Sequence, residues 1–226
     1  MAVIQDPSSG TSAKVDGLQQ ALRVAVRPQD HGARGAYHAA FYTGAIAAGL
    51  AANSELFQFR FISGGGLLAL LRSIEVSAAV STTAFAAGVP ITLEARAARS
   101  WSVQGTGGSG ITFGANDAKK RVTMATTILG AGDVRIATTG ALGVGTKTLD
   151  GQAFGVVAGQ VGTAISTIIP WTRLWYREDD SEYPLVLSNQ EGFVIRAVEV
   201  PATGVWKLAV QIDWEEVDPA AIPGWS

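Results

Sequence analysis

The chain has 226 residues, 17 of them Lys or Arg and 19 Asp or Glu, and its formal charge of -2 leaves no basic footprint for a nucleic acid. Only 16% of residues are charged and the mean hydropathy is +0.23, so buried contacts between subunits are expected. With no cysteine and two histidines, disulfides and thiol chemistry are excluded and a structural zinc site is not expected.

The first ten residues, MAVIQDPSSG, lack the basic and apolar regions of a signal peptide, and the chain is expected to be soluble and unprocessed. Residues 1–35 read as an N-terminal arm and linker. In Leu18 to Arg27, the apolar Leu22, Val24 and Val26 alternate with Arg23, Ala25 and Arg27, and Pro28 ends the run. This predicts one edge-type strand without a partner in its own segment. Leu22, Val24 and Val26 are its expected contacts, either with the main domain's sheet edge or with a neighbouring subunit. Gln29 to Gly35 is a polar linker.

Residues 36–217 read as one β-sandwich domain. Ala36 to Ala48 is predicted as a strand of small residues; its histidine, glycines and abundant alanine make the window to Ala52 too weak for a membrane span. Glu55 to Ser63 alternates, with Phe57, Phe59 and Phe61 on one face and Gln58, Arg60 and Ile62 on the other. Leu67 to Val80 and Val89 to Val103 alternate in the same way. Gly105 to Gly110, GTGGSG, reads as a hairpin tip; it lacks the lysine and the following helix that a phosphate-cradling loop requires. Asn116 to Leu129 is the one stretch where a helix is predicted, with Asn116 or Asp117 as its N-cap, although Thr123, Thr126 and Thr127 weaken it. Val134 to Ala137 and Leu149 to Ala158 are predicted short strands, and Ile165 to Tyr176 a longer one, followed by the charged loop REDDSE.

The segment Pro184 to Val217 holds three β-runs, Leu185 to Leu187, Phe193 to Val200 and Val205 to Glu215, which predict a β-meander. In the last run Trp206, Leu208, Val210, Ile212 and Trp214 face one way, and Lys207, Gln211, Asp213 and Glu215 the other. Residues 218–226 form a proline-flanked tail in which Trp225 is a candidate anchor. No fixed-period repeat is visible.

Little in the sequence points to catalysis. His31 and His38 read as ordinary surface or interface histidines, since neither stands in a recognisable pattern with a nucleophile or carboxylate. The acids Glu178, Asp179 and Asp180, and the second group Glu215, Glu216 and Asp218, lack the oxygen spacing of a calcium loop and read as solvated turns. In strand geometry Trp171, Arg173, Trp175 and Arg177 share one face, which suits either a subunit interface or a sugar-stacking surface. The interface is preferred because Trp, Tyr and Arg are enriched there.

The segments AAGLAANSELFQFRF (Ala47 to Phe61), GTKTLD (Gly145 to Asp150) and SNQEGFVIR (Ser188 to Arg196), with LRVAVRP (Leu22 to Pro28) ahead of a β-domain, resemble a group of virion proteins from tailed bacteriophages. The resemblance implies an all-β, jelly-roll-like β-sandwich, often a homotrimer, on the capsid or tail, and brings no functional residues with it. The expected function is therefore that of a capsid decoration or head-fibre protein, not an enzyme. Its expected partners are other copies of itself and major capsid or tail proteins, with no nucleic acid, membrane or cofactor. The alternative is a tail or baseplate component, or a receptor-binding tip, that grips cell-surface carbohydrate.

Overall fold

The computed structural model describes residues 15–16, 21–22, 34–47, 49–64, 66–85, 90–160, 167–176, 184–199 and 203–219. The chain divides into two compact units, Met1–Asp30 and His31–Ser226.

In the first unit β1 (Val15–Asp16) pairs antiparallel with β2 (Ala21–Leu22), Val15 opposite Leu22 and Asp16 opposite Ala21. The expected strand without a local partner is thereby corrected: the segment pairs back on itself. Backbone groups left unpaired by one strand are satisfied at the lowest loop-closure cost by the nearest residues in sequence. Val24 and Val26 lie outside the described residues.

The second unit is all-β among the described residues, two antiparallel sheets packed face to face as a β-sandwich. Its strands are β3 (Gly35–Tyr42), β4 (Ile46–Ala47), β5 (Ser54–Phe61), β6 (Leu68–Val80), β7 (Pro90–Val103), β8 (Ser109–Ile111), β9 (Val134–Ile136), β10 (Thr146–Leu149), β11 (Gly155–Gln160), β12 (Thr167–Tyr176), β13 (Leu185–Leu187), β14 (Glu191–Glu199) and β15 (Val205–Val217). One sheet runs β10-β7-β14-β5-β9-β8, with β11 also on β7; the other runs β12-β6-β15-β3, with β13 on β6 and β4 on β15. From β3 to β5, β6 and β7, and again from β14 to β15, the chain crosses from one sheet to the other.

That crossing overturns the expected meander. β13 pairs with β6, β14 lies between β5 and β7, and β15 lies between β3 and β6, so none of the three neighbours another. The apolar rows of β14 and β15 face each other across the core; alternation marks which residues point inward but not which sheet they belong to.

The core joins the sheets through rings. Phe59 stacks on Phe193 within its own sheet, centroids 5.3 Å apart, and meets Trp214 of the opposite sheet edge-on at 5.6 Å. Phe57, Phe59, Phe61, Trp206, Leu208, Val210, Ile212 and Trp214 are all fully buried, as their alternation requires. Each such side chain contributes about 1.5–3 kcal/mol of apolar burial.

Three further expectations change. Ala36 to Ala48 splits into β3 and β4 at Thr43, whose backbone N–H donates to Leu208 O and whose hydroxyl accepts from Leu208 N at 2.9 Å. Leu149 to Ala158 divides between the end of β10 and the start of β11. The expected helix over Asn116 to Leu129 is instead an irregular strap along the edge of β3. Asp117 closes a turn by accepting from Gly114 N at 2.7 Å, and Ala118 has φ 62°, outside helical geometry. Two backbone bonds tie the strap to β3, His38 N donating to Ala118 O and Lys120 N to Ala36 O, while within the strap Met124 N donates to Arg121 O.

Candidate docking face

The outer face of the six-stranded sheet is built from the residues that alternate with its core rows. Antiparallel register aligns them into cross-strand lines. Tyr42, Ala209 and Ser77 form one; Ala40, Gln211, Glu75 and Arg173 a second; His38, Asp213, Ser73 and Tyr176 a third. The centre is small and polar, with aromatic rings at both margins. Tyr42 on β3 is 69% exposed, while Trp171 and Tyr176 on β12 are 51% and 41% exposed.

β12 does not keep the simple alternation that put Trp171, Arg173, Trp175 and Arg177 on one face. Arg173 pairs with Glu75 but Trp175 with Ile74, so three residues of β12 oppose two of β6. A bulge of this kind flips the phase of everything after it. Trp175 turns inward, packs on the core and meets Phe154 edge-on at 6.5 Å. Trp171 and Arg173 stay outside, and Tyr176 takes the place expected for Trp175. The Arg173 guanidinium lies 4.1 Å from the Tyr176 ring centroid and 3.6 Å from Glu75. Arg177, like His31, Glu178, Asp179, Asp180 and Trp225, lies outside the described residues.

The edge beside β12 is closed by β11 of the other sheet. A Cβ on Gly155 would overlap the Leu174 carbonyl oxygen, so glycine is what lets the two backbones meet.

Most charges on the face are paired, and the exposed Lys207, opposite Ala79, stands outside these pairs. Asp213 accepts from Ser73 Oγ at 2.9 Å, meets His38 Nδ1 at 3.2 Å and pairs with Lys120 Nζ at 2.5 Å. Burial pushes its carboxyl up, but the Lys120, Ser73 and His38 contacts together outweigh that and leave it below its ordinary value. Arg72 holds Glu215 at 3.0 Å. A face of rings whose charges are largely paired suits a protein surface or a neutral sugar better than a polyanion.

Two members of the second acidic group do not lie in a solvated turn, while Asp218 is exposed just beyond β15. Glu215 and Glu216 belong to β15, and Glu216 is fully buried. Its carboxylate accepts the Thr127 hydroxyl, the Ile128 N–H and, at 3.4 Å, the Trp214 indole N–H, fastening the strap to β15. Burial pushes this carboxyl above its ordinary value despite those donors. Beside it Tyr37 stacks on Trp214 at 5.2 Å and donates to Ala125 O at 3.0 Å.

Sequence reasoning missed Tyr42 and misread Glu216 as part of a solvated turn. Tyr42 was legible from the alternation of β3; Glu216 was not, because the strap that buries it lies 88 residues away along the chain. Among the described residues no three His, Asp or Glu gather as a metal site, and no helix is long and apolar enough to cross a membrane. No protein-family model matches the sequence, and neither a curated protein nor a solved structure matches the chain.

Proposed function

We propose that this chain is a structural protein of a tailed-bacteriophage virion, a capsid decoration or head-fibre component that coats or stabilises the shell through subunit contacts. The observation that carries the reading is the outer face of the six-stranded sheet, where Tyr42, Trp171 and Tyr176 stand exposed around a small, charge-matched centre. Such a face is suited to adhesion, and the low charge content of the chain favours its burial in an assembly. The strand orders β3-β15-β6-β12 and β5-β14-β7-β11 support a jelly-roll reading of the sandwich, since eight strands alternating this way form two Greek keys. In this reading copies associate as a homotrimer, residues 1–35 tie neighbouring subunits, and the product is cohesion of the particle, without catalysis.

Light scattering of the purified chain at micromolar concentration tests the assembly, with a trimer mass expected. Deleting residues 1–34 tests the arm: attachment to capsids is lost while the sandwich stays folded. Unchanged attachment refutes the arm's role, and a stable monomer that never binds capsids refutes the whole reading.

A second reading, a tail or baseplate component or receptor-binding tip, is favoured by the exposure of Trp171 beside Arg173 and Tyr176. Under it Trp171→Ala abolishes binding to cell-surface glycan with the fold intact, and unaltered glycan binding by that variant ends this reading.

A further inference from the structure

On the seven-stranded sheet a lysine, a carboxylate and a carboxamide meet out of water. Glu55 and Gln58 stand on β5 and Lys147 on β10, strands that β14 and β7 separate. Lys147 Nζ nonetheless reaches Glu55 Oε2 at 2.8 Å, and both side chains are 3% exposed. Gln58 Nε2 donates to that same oxygen at 2.6 Å and to Gly143 O at 3.0 Å. Lys147 also donates to Val144 O, and its nitrogen lies 4.3 Å from the centroid of the buried Trp101 ring. An amine and a carboxamide thus flank one carboxylate oxygen in a closed site.

A buried ion pair carries a desolvation penalty that any reaction neutralising it would relieve. Burial pushes the Lys147 amine below its ordinary value, against the opposing pull of Glu55. Gln58 Oε1 is buried without a hydrogen-bond donor, so converting this carboxamide to a secondary amide loses no bond at that oxygen.

The geometry points to an intramolecular isopeptide bond between Lys147 Nζ and Gln58 Cδ, formed with Glu55 as proton relay. Lys147 passes a proton to Glu55, and the free amine attacks the Gln58 carboxamide carbon. Glu55 protonates the leaving Nε2, which it already contacts, and takes a proton from the attacking nitrogen. The Cδ–Nε2 bond breaks as the Cδ–Nζ bond forms, one ammonia departs, and Glu55 is left neutral. No oxidant or further reactant enters. The product ties β5 to β10 across β14 and β7, fastening the crossover that runs from β9 to β10.

The test is the intact mass of the purified, unaltered full chain, followed by fragment mapping. The expected mass is one ammonia below that of the sequence, with one cross-linked fragment joining the Gln58 and Lys147 peptides. Lys147→Arg and Glu55→Gln are each expected to show their full sequence mass. A full sequence mass in the unaltered chain, or an ammonia loss mapped elsewhere, overturns the proposal. Loss of the same ammonia in Glu55→Gln overturns the relay. The central reading uses the unaltered chain and does not depend on any variant folding.

Discussion

Arg173 and Trp175, two residues apart on β12, lie on opposite faces of their sheet: Arg173 opposes Glu75 outside and Trp175 opposes Ile74 inside. One extra residue in the strand decides which of them is available to a partner.

The two nearby tryptophans should therefore behave differently. Trp175→Ala is expected to cost roughly 2–3 kcal/mol, below the figure for a fully buried tryptophan because this one is only half-buried. Trp171→Ala, on the open face, should stay within about 0.5 kcal/mol of the unaltered chain. Denaturant midpoints at constant m-value would separate them, and equal losses would contradict the bulge.

Glu216 should give the protein a pH dependence that a substitution can isolate. Its folded pKa is raised above the ordinary 4.5, so the folded state holds its proton more tightly than the unfolded state. Stability from this group is fully present below that value and falls as pH rises toward the folded pKa. Glu216→Gln removes the titration and keeps one acceptor oxygen for Thr127. The unaltered chain should lose stability relative to Glu216→Gln as pH climbs from 4.5. A difference that is flat with pH, measured by urea unfolding, would show that burial does not shift this carboxyl.

Glu94 carries the opposite sign. Burial raises its carboxyl, but the hydrogen bonds from Arg96 and Arg196 outweigh this and leave the folded pKa lowered. Its contribution is present above the ordinary value of 4.5 and is lost as pH falls through the folded pKa. Glu94→Gln is expected to cost roughly 2–3 kcal/mol at neutral pH, the scale of charge-assisted bonds at a buried acceptor. In acid the gap between the two proteins should narrow; a constant gap down to the unfolding pH would refute the pairing.

At the junction of the two sheets, Gly155→Ala should open the margin beside β12. The new methyl group would meet the Leu174 carbonyl oxygen, backbone that cannot rotate away, so β11 and β12 must separate. A loss on the order of 1–3 kcal/mol is expected, as for overpacking elsewhere. Faster amide exchange should appear along β11 and β12, and unchanged exchange there would argue against the close approach.

Alternation alone determined the all-β class and most of the inward residues, because a side-chain period of two is a property of the strand itself. Phe57, Phe59 and Phe61, and the row from Trp206 to Trp214, are buried as their spacing requires. Which sheet each strand joins was decided only by tertiary structure, since β14 and β15 each carry an inward apolar row yet belong to opposite sheets. The strap over Asn116 to Leu129 shows the same limit: its helical propensity is weak, and the open edge of β3 offers its backbone better partners. Trp175 and Glu216 depended on events no local pattern records, a bulge set by pairing with β6 and burial by a distant segment. Local sequence sets the direction of a side chain relative to its own backbone; register and long-range packing decide whether that direction leads to solvent, to the core or to a partner.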